Sequence, residues 1–96
     1  MSLVQSGVVK VGNQNGTTFF KEVTIIFPQP FPTTPVVVAN TLQQPNLPPS
    51  SDSFTVSIVF VSPQQAVARV YRVDISPPQQ GGWGQNLQLG WIAHSY

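Results

Sequence analysis

Three carboxylates, four cations and one histidine make up the ionisable side-chain chemistry of this 96-residue chain, tyrosines apart. The acids are Glu22, Asp52 and Asp74, the cations Lys10, Lys21, Arg69 and Arg72, and the histidine His94. Glycoside hydrolysis needs two carboxylates facing each other across the scissile bond. Three acids allow such a pair, but no motif brings two together, so solvated acids are the plainer reading. A Ser–His–Asp relay drawn through His94 and Asp74 lacks a nucleophile-elbow pattern. His94 stands two residues from the C-terminus, where a frayed end is expected. No ligand set at metal-binding spacing is present. Gly81-Gly82-Trp83-Gly84 opens no helix and is no phosphate loop. The inventory therefore argues against an enzyme and implies no metal and no cofactor.

What remains is hydrogen bonding to neutral hydroxyls. Arg72 and Asp74 lie two apart on one strand, so they point to one face. Together they offer donors and acceptors of the kind vicinal hydroxyls need. A solvated pair worth little is the competing reading. Trp83, flanked by glycines in the stretch Ser76–Gln85, is a candidate platform for the apolar face of a pyranose. A tryptophan folded back on the body, or against a neighbouring subunit, is the alternative. Trp91 falls in the apolar register of the last strand and is assigned to the core.

These side chains are carried by strands. Phe54, Val56, Ile58 and Phe60 alternate with Thr55, Ser57, Val59 and Val61, the two-residue period of a strand with one face in a core. Ser62-Pro63-Gln64-Gln65 is a turn, and Ala66–Val73 returns as an antiparallel partner. Four of the seven charged residues, Asp52, Arg69, Arg72 and Asp74, belong to this hairpin or its ends. Before it, Val4–Val11 reads as a strand closed by Gly12, and Asn13–Gly16 as a turn. Phe19–Phe27 is a strand with apolar residues on both faces, so both sides are expected to be covered. Phe27–Pro35, with four prolines, forbids helix and interior pairing; it is an extended corner between sheets. Val36–Thr41 follows, its Val-Val-Val run suiting a buried position. Leu42–Asp52 is a loop, and Asn86–His94 the last strand, with Leu87, Leu89, Trp91 and Ala93 on one face.

Ten prolines, seven glycines and the lack of any 3.6-residue apolar period argue against long helices. The fold class is all-β, a small six-stranded antiparallel β-sandwich. Residues 1–96 form one domain. Charged residues are 7% of the chain, against roughly 25% in ordinary soluble domains. A net charge of +1 gives no electrostatic grip on nucleic acid or an anionic membrane. Low charge also favours self-association. No apolar run reaches the ~20 residues of a membrane span. The first residues lack the regions of a signal peptide, as would a secreted chain already stripped of one. No cysteine is present, so neither disulfides nor the redox compartment can be read.

Five pieces in order make a larger pattern: V-Q-S-G at 4–7 with Gly12, K-E-V-T-I-I-F-P at 21–28, P-V-V-V at 35–38, V-S-P at 61–63 and L-G-W-I-A at 89–93. In order and spacing they resemble the H-type lectins, the snail agglutinin and discoidin C-terminal family, over almost the whole chain. The resemblance implies a six-stranded sandwich, a compact homotrimer (or a dimer of trimers), and a galactose or N-acetylgalactosamine site between subunits. It places the sugar near Asn13 and Asn15 of the first loop, Asp52 and Ser53 before strand four, Arg72 and Asp74 at the end of strand five, and Trp83. It departs where the family carries an acid in the first loop, an arginine at Ser53, and an aromatic–histidine pair at Val73-Asp74. Cysteines of the agglutinin are replaced by Val11 and Val70.

The expected function is a non-catalytic, multivalent carbohydrate-binding module whose partners are glycans and copies of itself, in a secreted or cell-surface setting. The alternative is a structural, adhesion or trimerisation module of a larger fibre or tail assembly with a degenerate sugar site.

Overall fold

Six strands follow along the chain: β1 (Leu3–Gln14), β2 (Phe20–Ile26), β3 (Val36–Leu42), β4 (Phe54–Val61), β5 (Gln65–Arg72) and β6 (Trp83–Ser95). The computed structural model describes residues 3–14, 20–43, 53–74 and 82–95, the side chains of residues 84 and 85 excepted. Asn15 and Asp52 lie outside the described residues. One sheet has the order β1–β6–β3 and the other β2–β5–β4, with every pairing antiparallel. The chain is an all-β, six-stranded antiparallel sandwich.

The two central strands carry the core. Ala66, Ala68 and Val70 of β5 face inward and are fully buried. Leu87, Leu89, Trp91 and Ala93 of β6 face them from the other sheet. The small residues on β5 leave room for the leucines and Trp91, which keeps the interior close-packed. Truncating Leu87 or Leu89 to alanine would cost about 2–5 kcal/mol.

The proline segment crosses from β2 in one sheet to β3 in the other. It is anchored rather than merely extended. Phe27 and Phe31 are buried with their rings edge-to-face, 5.0 Å apart. Phe31 N–H donates to Pro63 O (2.8 Å) and Phe27 N–H to Gln64 O (3.1 Å). Gln5 of β1 holds the Gln29 backbone through both ends of its side-chain amide. The Ser62–Gln65 turn closes as expected, with Ser62 N–H on Gln65 O at 2.8 Å. A bulge at Val59 then shifts the β4–β5 register.

Four expectations need correction. Val36 and Val38 are 59% and 68% exposed, so the valine run of β3 is not buried within the chain. A strand in a two-layer sandwich has only one inner face. Thr24 and Ile26 of β2 are exposed for the same reason. His94 is no frayed end: it pairs with Val4 on one side and Val36 on the other. The last strand starts at Trp83, inside the stretch expected to be an open loop.

Candidate functional site

Antiparallel topology gathers the end of β1, the start of β2, the start of β4, the end of β5 and the start of β6 at one end of the sandwich. Ser53, Arg72 and Asp74 meet there. Arg72 Nε donates to Asp74 Oδ1 (2.9 Å) and Arg72 Nη2 to Asp74 Oδ2 (3.1 Å), a two-pronged pair. Ser53 N–H donates to the same Asp74 Oδ1 (3.1 Å), and Val73 N–H donates to Ser53 O (2.9 Å). Arg72 Nη1 reaches across to Gly82 O at 2.6 Å. The Arg72 guanidinium, with help from the Ser53 N–H, pulls the Asp74 carboxyl down from 3.8 to about 2. Donors and acceptors expected to serve a sugar are thus bonded to one another. They fasten the open end of the β4–β5 hairpin to the approach of β6.

Trp83 follows the alternative reading, a ring folded back on the body. It is only 4% exposed and meets Phe54 of the other sheet edge-to-face at 5.1 Å. Its indole N–H donates to Gly12 O at 2.9 Å. A buried ring offers no open face for a pyranose; Trp83 ties the two sheets together at this end.

The other end of that hydrogen bond is a bend in β1. Val11 is an extra residue in the β1–β6 ladder, and Gly12 follows at φ +76°, a left-handed conformation that suits glycine. Asn13 is exposed beyond it. Lys21 from β2 donates to Asn13 O at 3.0 Å, and Gln14 to Phe20 O at 3.0 Å. Lys10, Gly12, Asn13 and Asn86 line a cleft of about 270 Å³. The sequence reading named Asn13 but missed Lys10, Lys21 and Asn86. Lys10 and Lys21 flank the expected turn, yet β1 and β2 belong to different sheets, so no strand pairing announced their approach.

A second feature is a sheet face. On the outside of β1–β6–β3 the cross-strand rows run Val4–His94–Val36, Ser6–Ile92–Val38, Val8–Gly90–Asn40 and Lys10–Gln88–Leu42. Val4, Val8, Val36, Val38 and Ile92 are each more than half exposed. A shallow depression of about 430 Å³ lies over Gly7 and Gly90, walled by Val8, Val38 and Ile92. A side chain at Gly90 would stand 3.2 Å from Leu42 Cδ1.

No family model and no curated protein matches the chain. Solved structures do share its fold. A Pseudomonas aeruginosa R1 pyocin fibre comprising C-terminal residues 323–701 superposes with a TM-score of 0.75 at 25% identity, over 99% of this chain and 23% of that one. An N-truncated R1-type pyocin tail fibre superposes with a TM-score of 0.74 at 24% identity, over 99% of this chain and 71% of that one. This chain therefore spans about a quarter of the first fibre fragment, and its structural neighbours are pieces of tail fibres.

Proposed function

We propose that the chain is a structural or adhesion module of a fibre or tail assembly, joined to copies of itself as a homotrimer through the outer face of β1–β6–β3. The observation that carries this reading is the apolar outer face. Five aliphatic side chains, Val4, Val8, Val36, Val38 and Ile92, stand 56–68% exposed there. Soluble monomers rarely leave a contiguous apolar patch of this kind open, and such patches mark interaction sites. The one formally charged residue of its four rows, Lys10, stands at their edge, so the middle of the face carries no charge. The molecule is a slab of 47 × 29 × 16 Å, whose broad side exceeds the ~800 Å² per partner of a standard interface. The likeness to tail-fibre structures supports the fibre setting, and the resemblance to H-type lectins supports three copies. No catalytic step is part of this reading.

Size-exclusion chromatography with light scattering tests it. The expected mass is about 31 kDa, three chains of 10.4 kDa each. A 10.4 kDa species at micromolar concentration would remove the trimer and the role of the apolar face with it.

A neutral-glycan lectin is the second reading. The convergence of Ser53, Arg72 and Asp74 at one end favours it. The bonding of these groups to one another weighs against it. On a glycan array, a hit competed by free galactose or N-acetylgalactosamine and lost in Asp74→Ala would raise this reading above the first.

A further inference from the structure

Both arginines already have acidic partners. Arg69 holds Glu22, and Arg72 holds Asp74. The remaining cations are the two lysines, Lys10 and Lys21. They come from different sheets and still converge. A side-chain carbon built on Gly12 would lie 3.7 Å from Lys10 Cε and 3.7 Å from Lys21 Nζ. Glycine supplies no such carbon, so the space between the two lysine ends stays open. The cleft lined by Lys10, Gly12, Asn13 and Asn86 opens beside it.

Two lysine ends that approach one point concentrate positive charge there, which a counter-charge between them would offset. Among the described residues no carboxylate bonds to either lysine. Lys21 is fixed by Asn13 O, and no hydrogen bond to a described residue holds the Lys10 ammonium. The floor is rigid as well. Gly12 O is gripped by the buried Trp83, and the β1 bulge sets the backbone around it. The result is a preformed, positively charged notch with an exposed carboxamide on each of two neighbouring strands.

We infer that this notch binds an acidic saccharide, one whose ring carries a carboxylate or a phosphate. The anionic group sits between Lys10 and Lys21. The Asn13 and Asn86 amides, each donor and acceptor, meet the adjacent hydroxyls. A bare anion would use the lysines and leave the amides idle, whereas a neutral sugar would leave the lysines unopposed. The cleft of about 270 Å³ suits one sugar unit. The notch is complete within a single chain. This inference therefore goes beyond the fibre reading and survives its failure.

Amide chemical-shift titrations of the isotope-labelled chain test it. The probes are galacturonic acid, galactose 6-phosphate, galactose and inorganic phosphate, each at low and high salt. The two acidic sugars should shift the amides of Gly12, Asn13 and Asn86, and the response should weaken as salt rises. Lys10→Gln should weaken binding roughly tenfold, the usual loss with one charged hydrogen bond. That variant removes no hydrogen bond to a described residue, so its fold is expected to hold. The Lys10→Gln/Lys21→Gln double variant should lose the response. Equal shifts by galactose would overturn the role of the charge. Inorganic phosphate matching the acidic sugars would overturn the saccharide. Unchanged binding in Lys10→Gln and in the double variant would overturn the site.

Discussion

The two outer faces of the sandwich are built from the same alternating pattern and end differently. Outside β1–β6–β3, six aliphatic side chains from Val4 to Ile92, including Leu42, are 44–68% exposed. Outside β2–β5–β4, Arg69 occupies the middle row. Its Nε donates to Glu22 Oε2 at 3.0 Å and its Nη1 to Tyr71 Oη at 3.3 Å. Its guanidinium also lies 5.2 Å over the Phe20 ring. The hydrogen bonds from Arg69 to Tyr71 and then to Glu22 hold the guanidinium pKa above its usual value. Ser57 ends this row and Thr55 stands in the next, and the exposed Ile26, Phe60 and Val59 of this face lie toward the β4–β5 turn. One face pairs its charged groups within the chain. The other exposes a broad apolar area, which the proposed assembly would cover.

The largest expected effect tests which face is covered. Val38→Lys puts a charge in the middle of the apolar rows and should take the ~31 kDa species to the 10.4 kDa chain in light scattering. Thr55→Lys, on the opposite face, should leave the mass unchanged. If Thr55→Lys dissociates the assembly and Val38→Lys does not, the assignment of faces is reversed.

Next in size is the tie between the sheets. Trp83→Ala should lower unfolding free energy by about 3–5 kcal/mol, the usual cost of removing a buried large aromatic. Urea denaturation reads this directly. A loss below about 1 kcal/mol would mean that the sheets are held elsewhere.

The Arg72–Asp74 clamp should appear as a pH dependence. The folded carboxyl titrates near 2, below its unfolded 3.8. A depressed carboxylate stabilises the fold fully above the unfolded value and loses that contribution as pH falls through the folded one. Thermal midpoints should therefore fall between about pH 4 and pH 2, and Asp74→Asn should flatten that segment of the curve. An identical slope in Asp74→Asn would place the acid sensitivity in other groups.

The smallest effect belongs to the polar face. Glu22→Gln should barely move the thermal midpoint and should not change the mass, because exposed ion pairs contribute little. A drop as large as that of Trp83→Ala would mean that this face supports the fold as much as the core does.

Much of this was legible in the residues. The β4–β5 hairpin, the proline crossing between sheets and the inward set Leu87, Leu89, Trp91 and Ala93 follow from local rules of period and ring geometry. The clamp was half legible. Spacing brought Arg72 beside Asp74, but only the fold shows that they bond to each other and to Ser53. Trp83 was half legible, a ring folded back on the body being one of its two readings. Glycines on both sides read as an open loop, and a burial that depends on Phe54, some thirty positions earlier, has no local signature. The Lys10–Lys21 notch was hidden for the same reason, since its two sides come from strands that never pair.

By itself the sequence determined six extended segments, the corner between β2 and β3, and which residues share a side of each strand. These are properties of consecutive residues, set by alternation and by the restricted φ of proline. Only the tertiary structure decided which sheet each strand entered and which of two apolar sides was turned outward. A two-residue period says that a strand has two faces; which one is buried depends on what the rest of the chain packs against it. In β3 that packing half-covered Val37 and left Val36 and Val38 to the surface.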